Sequence, residues 1–243
     1  MRIVLQPAFI LHRRAYRDTS LLIDVFSRDG GRLALVGRGA RASKSRWAGV
    51  LQPFRPLLLS WSGKGEVKTL SAAEEAGSAI LLPVTRVLSG LYLNELLLRL
   101  LARYDPHPGI FAAYRMVLAE LANTDADEEA ALRRFEKCLL AEIGYGLRLD
   151  READTHAPIQ PDRLYRYLPN HGAVAIAGTG GEGVVISGAS LLALHSGQLA
   201  GAESLREAKR LTRAALAICL EGRPLKTREL MIATQQRLAH ASG

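Results

Sequence analysis

The feature that most constrains this chain is a change of hydrophobic period at Pro83. Before it, apolar and polar residues alternate in short runs closed by glycine-rich turns; after it, apolar residues recur about every 3.6 positions. A pattern of period two cannot bury one face as a helix, nor the reverse, so a β part must precede an α part. Ile3 to His12, Ser20 to Ser27, Arg32 to Gly37, Gln52 to Trp61 and Glu66 to Ser71 read as five strands. Asp29-Gly30-Gly31 and Ser62-Gly63-Lys64-Gly65 read as hairpin turns, where glycine supplies positive φ without steric cost. Five strands with one long loop, Arg38 to Val50, predict an OB-fold β-barrel; an SH3-like barrel reads much the same. Pro53 and Pro56 around Phe54 suggest an edge strand or a bulge.

Beyond Pro83, Val84, Val87, Leu88, Leu91, Leu98 and Leu101 fall on one side of a long helix. A second helix from Gly109 to Leu121 carries Phe111, Tyr114, Val117, Leu118 and Leu121 inward. A third starts near Asp125 or Asp127, directs Leu132, Phe135, Leu139, Leu140 and Ile143 inward, and ends at Gly144-Tyr145-Gly146. Three packed helices are the expected centre of a second domain. Residues 150–187 lose the helical period and become polar and glycine-rich, with two short strands at Ala173 to Ala177 and Val184 to Ser187, as in a small insertion. Helices resume at Ala189 to His195, Glu203 to Leu220 and Arg228 to His240. The predicted organisation is an OB-fold nucleic-acid-binding domain over 1–82 and a mainly α-helical domain over 83–243 that contains the insertion.

The net charge of +8 is concentrated at the N-terminal end. Residues 1–82 hold thirteen Lys and Arg against six Asp and Glu, and no acidic residue separates Asp29 from Glu66. Clustered cations displace counterions from a phosphate backbone, so this asymmetry fits a polyanion binder as well as a solvated face. The loop Gly37 to Trp47 interleaves Arg38, Arg41, Lys44 and Arg46 with glycines and serines; Trp47 either stacks on a base or packs into the barrel. Tyr16, Phe26 and Phe54 pose the same choice, with core packing favoured for Phe26. Along the helix from Glu203, Arg206, Lys209, Arg210 and Arg213 form a basic stripe opposite Leu205, Ala208, Leu211, Ala215 and Ile218, suited to phosphate contacts or to a plain solvated face.

Catalytic signatures are missing. Gly178 to Gly183 spells G-x-G-x-x-G, but a strand follows where a dinucleotide site needs a helix, so a glycine-rich hairpin turn is expected. The six histidines have no ligand spacing, Asp125 to Glu129 lacks the pattern of a calcium loop, and Cys138 and Cys219 sit in apolar helical patterns. No nucleophile, general base, metal or cofactor is nominated, and the expectation is a protein that is not an enzyme. The apolar start is broken by Gln6 and Pro7, and Leu88 to Leu101 is too short and polar to span a bilayer, so no membrane contact and a cytoplasmic location are expected.

Seven segments in order carry a resemblance: "YRDTSLLIDVFSRDGGRLALVGRGAR", "KSRWAGVLQPFRPLLLSWSGKGEVKTL", "LYLNELLLRLL", "LRRFEKCLLAEIGYGL", "YRYLP", "REAKRLTRAAL" and "RPLKTREL". Together they resemble the RecO recombination-mediator family over nearly the whole chain. The resemblance implies an N-terminal OB-fold, a helical domain, and binding to single- and double-stranded DNA. It also implies annealing of complementary strands, including those coated by single-stranded DNA-binding protein (SSB), and loading of RecA together with RecR in the RecFOR pathway. Many relatives carry two C-x-x-C pairs near residues 150–170, where this chain has Asp150, Asp154, His156 and Asp162, so zinc is not expected.

The DNA-binding residues expected from charge and resemblance are Arg14, Arg17, Arg32, Arg38, Arg41, Lys44, Arg46, Trp47, Arg206, Lys209, Arg210 and Arg213. The resemblance further suggests that Arg133 and Arg134, beside Leu132 and Leu140, receive the C-terminal tail of SSB. From charge alone an RNA-binding OB-fold protein is the alternative.

Overall fold

The structure is a computed structural model describing residues 2–45, 47, 49–176 and 181–241. Five strands close a barrel: β1 (Arg2–Tyr16), β2 (Ser20–Ser27), β3 (Gly31–Gly37), β4 (Leu57–Ser62) and β5 (Val67–Glu75). β1 is long enough to pair antiparallel with β4 through its first half and with β2 through its second. The order around the barrel is β1-β2-β3-β5-β4, with β3 and β5 parallel, Ala34 opposite Val67. That closure is the OB topology and removes the SH3-like alternative. The strand expected from Gln52 begins only at Leu57, because Phe54 takes a positive φ of 65° that breaks extended pairing. β1 and β5 in turn run further than their hydrophobic pattern indicated, since pairing continues into the charged ends.

Both faces of the barrel wall are apolar. Ala8, Ile10, Ile23, Val25, Leu33 and Leu35 point into the barrel core, where Trp47 and Trp61 also lie. The alternate residues Phe9 and Phe26 are buried outside it and meet Phe111, at 5.4 and 5.5 Å between ring centroids, while Phe9 meets Tyr114 edge-on at 5.1 Å. Phe111 and Tyr114 belong to α2 (Pro108–Ala122), which follows α1 (Val87–Leu100). α6 (Lys226–Ala241) packs on α1. Barrel, α1, α2 and α6 form one compact unit, Met1–Thr124 with Leu225–Gly243. This unit extends past the expected boundary at 82/83 to take in α1 and α2, because the outer barrel wall itself demands a helical cover.

The apolar side expected for α1 is also revised. Tyr92, Leu93, Leu96 and Leu97 are buried, whereas Leu88, Leu91 and Leu98 are only partly so and Val84, in the 3-10 turn before the helix, is exposed. A helix apolar almost all round offers the period no side to choose. Asn94 decides the orientation: its buried Nδ2 donates to the Leu11 carbonyl at 2.9 Å and its Oδ1 accepts from the Tyr114 hydroxyl.

The second unit, Asp125–Pro224, holds α3 (Glu128–Glu142), β6 (Leu164–Leu168), β7 (Gly172–Ala175), β8 (Val184–Ser187), α4 (Gly188–Ser196) and α5 (Ala202–Cys219). Asp127 caps α3, its carboxylate accepting the Ala130 N–H at 3.0 Å. The insertion is a sheet of order β7-β6-β8, both outer strands antiparallel to β6. β7 and β8 are therefore not a hairpin: their link crosses over β6, and the expected glycine-rich turn is a crossover. Arg166, on the opposite side of β6 from buried Tyr165 and Tyr167, donates to the Gly181 carbonyl at 2.6 Å. Residues 177–180, which include the first half of the G-x-G-x-x-G string, lie outside the described residues. β6 escaped the sequence reading because its polar, proline-flanked context hid the alternation of Tyr165 and Tyr167.

Candidate nucleic-acid interface

The β1–β2 turn and the long β3–β4 loop meet at one end of the barrel, and Arg41 joins them. Its backbone N–H donates to the Thr19 carbonyl at 2.8 Å, and its guanidinium to the carbonyls of Arg17 and Asp18 at 3.4 and 3.5 Å. Arg17 lies over the half-buried Tyr16 ring, 5.3 Å from its centroid. Arg14, Arg17, Arg38, Arg41 and Lys44 are all exposed. Two loops tied by backbone acceptors thus present several cations on a rigid mount, with the charged heads in water. Arg46 lies outside the described residues.

Two residues expected here serve the barrel instead. Trp47 is 6% exposed within the barrel core and its indole N–H donates to the Arg38 carbonyl at 3.3 Å, so its ring is not available for stacking. It holds the cationic loop down. Arg32 is half-buried and donates to the Leu101 carbonyl at 2.9 Å. Burial and the neighbouring Arg103 lower its pKa against the opposing pull of Asp24, which marks a structural cation rather than a free one. Phe54 is half-buried against Gly90, where a Cβ would meet its ring at 2.8 Å.

The basic stripe on α5 is partly neutralised. Lys209 Nζ lies 2.6 Å from the Glu129 carboxylate, and Arg210 donates to the Val185 carbonyl at 2.9 Å and sits 3.5 Å from Glu207. Glu207 in turn accepts from the Ser187 N–H and hydroxyl, at 3.0 and 2.7 Å. Arg206 and Arg213 are exposed, two turns apart on the same face.

The four residues expected to receive a peptide tail do not form an accessible site. Leu132 and Leu140 are buried, and Arg133, 3% exposed, pairs with fully buried Glu136 at 2.7 Å. Arg134 donates to the Gly197 carbonyl at 3.4 Å, while Lys137 donates to the carbonyls of Leu194 and His195 at 3.0 and 2.7 Å. These two cations close the C-terminal end of α4, where helix carbonyls lack partners. An (i, i+3) Arg–Glu spacing in "LRRFEKC" was the signal for a buried pair, but sequence cannot say which arginine faces inward.

Among the described residues no group of three or more His, Cys, Asp and Glu side chains is placed to hold a metal ion. Asp154 pairs with His171 at 2.6 Å, both exposed. No described helix is long and apolar enough to cross a membrane.

Comparison with known proteins places this geometry. The family model "Recombination protein O N terminal" matches residues 1–79, and "Recombination protein O C terminal" matches residues 84–229. The chain is 45% identical to the DNA repair protein RecO of Aromatoleum aromaticum over 236 residues, covering 97% of this chain and 98% of the relative. It is 47% identical to that of Methylococcus capsulatus over 229 residues, 94% of this chain and 93% of the relative. The match to that of Coxiella burnetii is 45% over 230 residues, 95% and 98% of the two chains. Matched at both ends of its length, the chain belongs to the RecO family of DNA repair proteins.

Proposed function

We propose that this protein is a recombination mediator that binds single- and double-stranded DNA through the barrel loops and brings complementary strands together, including strands coated by SSB. With RecR it promotes RecA loading. The observation that carries the reading is the junction at Arg41, which sets Arg14, Arg17, Arg38, Arg41 and Lys44 around one end of the barrel. Annealing is opposed by repulsion between phosphates, so a fixed cluster of cations lowers its barrier without covalent chemistry. Arg206 and Arg213 on α5 supply a second patch of phosphate contacts. Of the residues expected to meet the SSB tail, Arg134 alone has partial access to solvent.

The test is annealing of complementary oligonucleotides precoated with SSB, followed over a range of salt. Acceleration that fades with salt is expected. The Arg41→Ala, Lys44→Ala double variant should bind less tightly and reduce the slope of log affinity against log salt by about 1.5, from two lost phosphate contacts. Undiminished binding and slope in that variant would remove the barrel loops from the interface.

A further inference from the structure

A cavity of about 300 Å³ lies beside the β2–β3 turn, at the far end of β2 from the cationic loops. Its walls include Leu33, Trp61 and Pro106, with Tyr104, Lys68, Gln6 and Asp29 supplying polar groups, the Asp29 carboxylate being paired with Arg28 at 2.9 Å. That volume stands at the lower end of small-ligand clefts, and the mixture of apolar walls with few polar atoms is their usual make-up.

Tyr104 is the unusual wall. Its φ of 60° is a left-handed conformation that a tyrosine rarely adopts, and the residue is 42% exposed. Three contacts hold it there. Its N–H donates to the Arg32 carbonyl at 2.9 Å, its hydroxyl donates to the Glu66 carbonyl, and Lys68 Nζ sits 5.2 Å from the ring centroid. A solvent-facing aromatic fixed at such backbone cost is a rigid platform, of the kind that accumulates at ligand sites. Gln6 also lines this cavity, and its buried side-chain Oε1 accepts no hydrogen bond.

We propose that this cavity takes one unpaired nucleobase of a DNA strand, stacked against Tyr104, with the Gln6 amide meeting its polar edge and Lys68 meeting the adjoining phosphate. The inference rests on the DNA-binding reading above and adds to it a second contact that only a single strand can make. Every base has a π-face, so the site accepts any sequence, and a base held in a duplex stack cannot enter it.

The full-length protein is titrated into an oligothymidylate carrying one 2-aminopurine, whose fluorescence falls on stacking, and separately into a duplex. Tyr104→Gly removes the ring at a position whose φ glycine adopts freely, so the backbone is preserved; Tyr104→Phe keeps the ring. The expected result is a loss of about tenfold in single-strand affinity and of the fluorescence change for Tyr104→Gly, with duplex affinity and salt slope unchanged and both signals retained by Tyr104→Phe. If Tyr104→Gly binds and quenches as the parent does, the cavity is not a base site and suits a protein side chain instead, which overturns the proposal. If the parent protein binds neither strand form at low salt, the DNA-binding reading itself fails, and the proposal with it.

Discussion

Asn94 shows how one polar residue orients an otherwise featureless helix. It is 2% exposed and holds two buried groups from different elements, the Leu11 carbonyl of β1 and the Tyr114 hydroxyl of α2. Burial pushes the Tyr114 phenol well above its ordinary value, so it keeps its proton and remains the donor. Asn94→Ala removes the donor to the buried Leu11 carbonyl and the acceptor of the Tyr114 hydroxyl together and should cost about 2–4 kcal/mol in urea denaturation, whereas Tyr114→Phe, which removes one donor to Asn94, should cost about 1–2 kcal/mol. Equal costs for the two variants would mean that Asn94 has no bridging role. At this scale the sequence indicated the amide and the phenol as members of helices, but not that they meet, because the backbone dihedrals of the intervening residues decide which faces turn together.

Helix ends obey the same accounting. The first N–H groups of α6 are capped from another element: Glu95 of α1 accepts from Lys226 N–H at 3.0 Å, from Thr227 N–H at 2.9 Å and from the Thr227 hydroxyl at 2.7 Å. Desolvation is the largest influence on this carboxyl and would raise its pKa, but the donors from Thr227 and Lys226, with Arg99, together outweigh it and hold the value below the ordinary 4.5. A depressed folded pKa contributes stability that is present above the unfolded value and lost as pH falls through the folded one. Docking of α6 should therefore hold at neutral pH and weaken as pH drops below about 4.5, and Glu95→Gln should remove that acid-sensitive component; parallel stability curves for the two proteins between pH 6 and 3 would refute this. The elements themselves were largely legible, since turn glycines and the change of period mark each of the five barrel strands and the six helices among the described residues, although β4 begins later than its pattern suggested. What escaped were features set by partners at a distance: the inward side of α1, strand β6, and the crossover between β7 and β8.

The molecule as a whole is organised by where apolar surface remains after local structure forms. The barrel's outer wall, Phe9 and Phe26 among it, needs α1 and α2, so a pattern boundary at residue 83 is not a boundary of packing. The charge asymmetry that pointed to a polyanion was readable because it belongs to composition, while its division into exposed cations and clamps was not. Arg32, Arg133, Lys209 and Trp47 carry the right chemistry for an interface, but each is held by an acceptor that only the fold supplies. The same logic makes the chain's return to its first unit testable. Leu225 is 2% exposed and Thr227 is 9% exposed, so ending the chain after Pro224 removes a buried leucine, strips α1 of the helix packed on it and leaves the Glu95 carboxylate without its donors from Lys226 and Thr227. Loss of the buried leucine alone should cost the first unit about 2 kcal/mol. In hydrogen exchange read by mass spectrometry, amides of α1 and β1 should exchange roughly tenfold or more faster in the truncated chain, while those of α3, α5 and the β6 sheet keep their rates. Acceleration spread evenly over both units would show that they unfold as one, and that α6 stabilises the whole chain rather than the barrel and its helical cover.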